Sequence, residues 1–112
     1  MADYVRNAGF SVVEELAGHG IGEDLWEALH VPNYTNRDYE RNQDFRLEPG
    51  VVIAVEPMVN VGKRHIKTLR DHWTIVTADG KPSAHFEHTL ALTHEGVQIL
   101  TASPEGKGWA ID

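Results

Sequence analysis

The sequence contains no cysteine, which removes disulfide staples and thiolate metal sites together. Any metal would have to be held by histidine and carboxylate. Positive charge is also scarce: 10 Lys and Arg stand against 17 Asp and Glu, a net −7 with His neutral. That balance argues against a broad surface for nucleic acid or anionic membrane, since both need clustered cations. No run approaches the roughly 20 apolar residues of a membrane span. The opening MADYVRNAGF carries charges and lacks the apolar core of a signal peptide. No repeat and no linker divides the chain, and 112 residues suffice for one small domain with a modest core. The expectation is a soluble, cytoplasmic chain of one domain.

What is present is organised around Val51–Val59, VVIAVEPMV. Val51–Val55 are β-branched or small apolar residues that run directly into Glu56. Such a run predicts a strand buried on at least one face. No Lys or Arg within it neutralises the carboxylate. A buried carboxylate protonates, finds a cation or binds a metal, unless the strand stops and Glu56 meets water. Pro57 has no N–H to give to a ladder, so it ends the pairing and aims Glu56 from a strand end.

Around this strand the chain predicts little helix. Ala2–Ala8 is a short helix candidate with Asp3 near its start and Gly9 after its end. Phe10–Leu16 fits a strand or a further helical turn. Gly18–Gly22 reads GHGIG, an exposed backbone around one imidazole. Glu23–His30 has Leu25, Trp26 and Leu29 at near-helical spacing before Val31-Pro32-Asn33-Tyr34 breaks it. Thr35–Arg46 is polar, lacks a period and predicts a surface loop.

Glu48-Pro49-Gly50 is a turn into the central strand, and Asn60–Lys63 a turn out of it. Arg64–Leu69 and Trp73–Thr77 read as short strands, the second closed by Ala78-Asp79-Gly80. Ala84–Thr93 alternates: Phe86, His88, Leu90 and Leu92 face one way, and His85, Glu87, Thr89 and Ala91 the other. Glu95-Gly96 turns into Val97–Leu100, and an exposed tail follows from Ala102. The sum is a mainly antiparallel sheet.

Three residues could converge as ligands for a hard metal: His19 in its glycine frame, Glu56 at a strand end and Glu87 on a strand face. Singly, each has an ordinary reading as a turn histidine or a solvated carboxylate. Together, one imidazole and two carboxylates suit Mn²⁺, Fe²⁺, Co²⁺ or Zn²⁺ in a hydrolytic site.

GHGIG at Gly18–Gly22, EPMV at Glu56–Val59, WT at Trp73–Thr74 and SAHFEHT at Ser83–Thr89 occur in that order. VPNY at Val31–Tyr34, LEPG at Leu47–Gly50 and GVQILT at Gly96–Thr101 extend the match. In these motifs the chain resembles type I methionine aminopeptidases, from about Tyr4 to Leu100. The resemblance implies an α+β fold, the C-terminal half of the pita-bread (creatinase/aminopeptidase-like) architecture. Residues 1–112 would then be one partial catalytic domain. It also implies removal of methionine from the N-terminus of nascent proteins at a site with two divalent metals. His19 would ligate one metal, Glu87 would bridge both, and Glu56 would ligate one and serve as the catalytic group moving protons. Trp73 falls at an aromatic position that lines the methionine pocket in that family; its alternative is ordinary core packing.

Several departures from the family pattern bear on competence. The remaining metal ligands of the family, two aspartates from the first half of its fold, have no counterpart in these residues. Trp26 falls where the family has a substrate-binding histidine, Thr35–Arg46 is longer than usual, and His85 stands where glutamine is common. The expectation is therefore a chain that by itself holds at most one metal weakly, cleaves nothing appreciably and self-associates or awaits an N-terminal half chain. The alternatives are a non-catalytic truncated domain that binds a nascent chain or a partner protein, and one half of a split enzyme. Prolidases and Xaa-Pro aminopeptidases share the ligand set, but EPMV and GHGIG favour the methionine enzymes.

Overall fold

A glycine ends the first element. In the computed structural model, which describes residues 1–105 apart from the side chain of Tyr39, α1 (Ala2–Asn7) closes at Ala8, and Gly9 takes φ 87°. The ambiguous Phe10–Leu16 stretch contains a strand, β1 (Ser11–Val12), with Val12 and Val13 buried. β2 (Gly18–Gly20) carries His19.

The next stretch resolves one ambiguous pattern and overturns one expectation. The near-helical Glu23–His30 segment forms no helix; its second part is β3 (Glu27–Val31). Pairing decides this, since Gly18 opposes Val31 and Gly20 opposes Glu27 across an irregular register, and those bonds outweigh a brief helical pattern. The expected loop Thr35–Arg46 contains α2 (Arg37–Asn42). Its side-chain cap is Asn36, which accepts the Asp38 N–H at 2.9 Å. Asp38 and Glu40 in the first turn and Arg41 in the last suit the helix dipole.

Beyond the turn at Gly50, β4 (Val52–Val55) stops at Glu56 and β5 (Met58–Asn60) starts after Pro57, as the missing N–H requires. β6 (Ile66–Thr68) and β7 (Ile75–Thr77) form a hairpin. Trp73, expected in the second strand, lies in the turn before it. The expected single strand Ala84–Thr93 is two strands, β8 (Ser83–His85) and β9 (His88–Thr93). Its break lies opposite the break at Pro57. β10 (Gly96–Ile99) returns along β9 through a turn in which Gly96 has φ 123°.

Every pairing among the described residues is antiparallel. One sheet runs β10-β9-β4-β2-β3 and a second runs β1-β5-β8. A single ladder links them. Val55 opposes His88 in the first sheet and Met58 opposes His85 in the second. Neither side gains a residue between those pairs, so Glu56 and Pro57 lie opposite Glu87 and Phe86.

The core is thin. Val12, Val13, Ile53 and Ala54 are buried, while Tyr4, Leu25, Phe86, Val97 and Leu100 are exposed. Burial does not alternate along β9, where every position is half-buried, because neither face of the strand is fully covered. Buried Asn60 replaces apolar packing with bonds: its Nδ2 donates to the Lys63 carbonyl at 3.0 Å and its Oδ1 accepts from Ser83 Oγ at 2.7 Å. Of the expected tail, Ala102–Glu105 is half-buried and then exposed; the remainder lies outside the described residues.

Candidate metal centre

Glycine lets β2 approach β4 closely enough to bring His19 to Glu56. A Cβ on Gly18 would stand 2.1 Å from the Ala54 carbonyl oxygen, and one on Gly20 would press on Leu29 at 3.2 Å. The His19 ring is fixed by its own strand: Nδ1 lies 2.8 Å from the Gly20 carbonyl oxygen. That contact requires Nδ1 to carry a hydrogen, so in the neutral ring Nε2 has the lone pair. Nε2 faces Glu56 Oε1 at 3.5 Å. Two electron-rich atoms that close attract a cation or a proton between them.

The strand break supplies the third group. Because Glu56 opposes Glu87, two like charges meet across an antiparallel pair, an arrangement that is unfavourable until a cation joins it. One ligand atom from each of His19, Glu56 and Glu87 lies within 4.8 Å of the others. His19 and Glu56 are half-buried and Glu87 is exposed. Nitrogen and carboxylate oxygen, free of thiolate, fit a divalent metal. Asn33 of VPNY braces this corner from behind, with Nδ2 donating to the Glu56 carbonyl at 3.4 Å. Glu56 and Glu87 share a face because they stand directly opposite one another in the register.

Beside the cluster opens a cavity of about 590 Å³, lined in part by His19, Glu56, Met58, His85, Trp26 and Trp73. Trp26 stands edge-on to the His19 ring, centroids 6.0 Å apart and planes at 83°, yet is 69% exposed. Trp73 is 83% exposed among the described residues. Asp71 holds the Trp73 turn: Oδ1 accepts the N–H groups of Trp73 at 3.0 Å and Thr74 at 2.9 Å, and Oδ2 accepts the Thr74 hydroxyl at 2.5 Å. The Thr74 hydroxyl, then the Thr74 and Trp73 amides, hold the Asp71 carboxyl below its ordinary 3.8. Asp79 is likewise lowered, by the amides of Lys63 and Lys81.

His85 is the residue that sequence reasoning passed over as a mere departure. Its Nε2 lies 3.4 Å from Glu56 Oε2. The signal was available, since His85 precedes Glu87 by two and shares its strand face.

The sequence profile of metallopeptidase family M24 matches residues 1–94. The chain is 55% identical over 98 residues to methionine aminopeptidase 1 of Bacillus subtilis (strain 168), covering 88% of this chain and 38% of that protein. To the methionine aminopeptidase of Escherichia coli (strain K12) it is 44% identical over 98 residues, covering 88% of this chain and 36% of that one. The crystal structure of methionine aminopeptidase from Thermotoga maritima superposes with a TM-score of 0.81 at 38% identity, covering 91% of this chain and 39% of that chain. That from Rickettsia prowazekii gives 0.81 at 33% identity, covering 90% and 40%. The fold is therefore part of the pita-bread architecture. The chain spans well under half the length of these relatives.

Proposed function

The chain belongs to metallopeptidase family M24, and from that premise we propose that it is the metal-holding part of a hydrolase that removes N-terminal methionine from peptides and nascent proteins. One observation supports this most: Glu56 opposes Glu87 across the strand break, with the bare Nε2 of His19 beside them. Manganese, iron, cobalt or zinc suits such donors. When bound, a divalent cation polarises a peptide carbonyl and lowers the pKa of water. Glu56 lines the cavity and Glu87 does not. By the family resemblance Glu56 would be the carboxylate that takes and returns a proton at the scissile bond, and its place on the cavity wall supports that role.

The side chain of an N-terminal methionine fits the apolar part of the cavity, where Met58, Ile66 and Ile75 form a wall and Trp26 and Trp73 a rim. A thioether gains from sulfur–aromatic contact. The −7 net charge favours approach of a cationic N-terminus. Nascent chains present such termini in the cytoplasm, the compartment we assign.

Three ligands carrying two negative charges support one cation in these residues; a second needs further carboxylates from elsewhere. Titration calorimetry of the purified chain with Mn²⁺ or Co²⁺ should give one weak site, lost in Glu56→Gln. The chain by itself should release no methionine from a methionyl peptide. Release should appear when the segment corresponding to the first part of the relatives is supplied. Binding of no metal, or binding indifferent to Glu56, defeats the reading.

A second reading is favoured by Trp26. An indole stands against His19 where the resemblance leads one to expect a substrate-binding histidine. The chain would then hold a peptide N-terminus without cutting it. Trp26→His in the complemented form separates the two: a gain in turnover supports the hydrolase. No gain, with folding and metal content intact, means that the register is wrong or another group has taken the histidine's role, and no release from the complemented parent supports the binding module.

A further inference from the structure

We infer that His85 is a positioning residue for Glu56, holding one carboxylate oxygen so that the other faces the metal position; this rests on the metal site proposed above. Antiparallel geometry brings the two together. His85 ends β8 opposite Met58, so Glu56, two residues before Met58, is its diagonal neighbour on the same face. Glu56 Oε1 meets His19 Nε2 at 3.5 Å, and Oε2 meets His85 Nε2 at 3.4 Å.

The two imidazoles cannot act alike. As a neutral ring His19 places its hydrogen on the Gly20 carbonyl at Nδ1, so its Nε2 offers a lone pair to a metal. His85 is free of that constraint and can donate Nε2–H to Oε2. Among the described residues, the group whose ligand atoms lie within 4.8 Å of one another is His19, Glu56 and Glu87, without His85. His85 therefore supports a ligand without being one. Anchoring Oε2 stops the carboxylate from rotating and leaves Oε1 beside the His19 lone pair. Outer contacts of this kind are typically worth about 10–100-fold in metal affinity.

The test uses the 112-residue chain, Co²⁺ calorimetry and the visible absorption of bound Co²⁺. His85→Ala should weaken binding by about tenfold or more and alter the cobalt absorption. His85→Gln, which keeps an N–H donor, should return affinity to within about threefold of the parent. Parent-like affinity in His85→Ala overturns the inference. So does His85→Gln as weak as His85→Ala, which would make the imidazole a ligand. A metal-free arm covers a variant that fails to fold or a parent that binds no cobalt. In long-range ¹H–¹⁵N spectra, His85 should be the Nε2–H tautomer, with Nε2 shifting in Glu56→Gln. The Nδ1–H tautomer, or a signal indifferent to Glu56, overturns the inference. Failure of the parent to bind cobalt would count against the metal reading alone.

Discussion

The ligand cluster and the tryptophan rim sit side by side but are held by different means. His19, Glu56 and Glu87 project from strands or from a strand break whose register is set on both sides by ladder pairs. Trp73 projects from a turn held by one exposed aspartate, and Trp26 precedes β3. The cluster thus inherits the precision of two sheets, while the rim depends on local bonds. On the proposed function the contrast would separate binding of a cation from recognition of a peptide, and it can be probed one side at a time.

The largest effect is expected from the carboxylate pair. Glu87→Gln should weaken Co²⁺ binding by more than about 100-fold, beyond the usual loss for a merely supporting residue. The same change should raise the stability of the metal-free chain by about 0.2–1 kcal/mol, because it removes a like-charge cross-strand pair. Calorimetry and chemical denaturation of one variant would read both. A metal-free chain made less stable by Glu87→Gln would show that Glu56 and Glu87 do not repel.

Next comes the glycine frame. Gly18→Ala drives a methyl against the Ala54 carbonyl and should cost about 1–3 kcal/mol, as overpacking does. Thermal melts should register it, and metal affinity should fall with it, because β2 must move away from β4. Unchanged affinity would mean that His19 does not depend on that close approach.

The rim should respond more gently and alone. Asp71→Ala removes the acceptor for two amides and a hydroxyl. It should shift the Trp73 indole ¹H–¹⁵N signal and weaken binding of a methionyl peptide while leaving Co²⁺ affinity intact. A matching loss of metal affinity would contradict the separation of rim from cluster.

The smallest effect is the acid response of the rim. Asp71 and Asp79 have folded values below the ordinary 3.8. A lowered carboxylate contributes stability that is fully present above 3.8 and lost as pH falls through its folded value. The Trp73 indole signal should therefore stay constant down to about that value and move only in stronger acid, in step with protonation of Asp71. Movement at higher pH would point to another group.

Much of this arrangement was determined by the sequence. Pro57 lacks an N–H whatever surrounds it, so a strand had to end beside Glu56. Gly9 marked the end of α1, and strict alternation put His85 and Glu87 on one face before any partner strand was known. The motifs pointed to His19, Glu56 and Glu87 through their resemblance to the family, and the fold brings those three together. Other features depended on contacts distant in the chain. Glu27–Val31 became a strand because β2 offered it a ladder, against a brief helical pattern. α2 escaped notice since a six-residue helix has too few turns to display a period, though Asn36 marked its start. The break at Phe86–Glu87 answers a proline on the opposing strand. The contact between His85 and Glu56 required the register itself: spacing tells which face a side chain takes, and only pairing tells which residue it meets there.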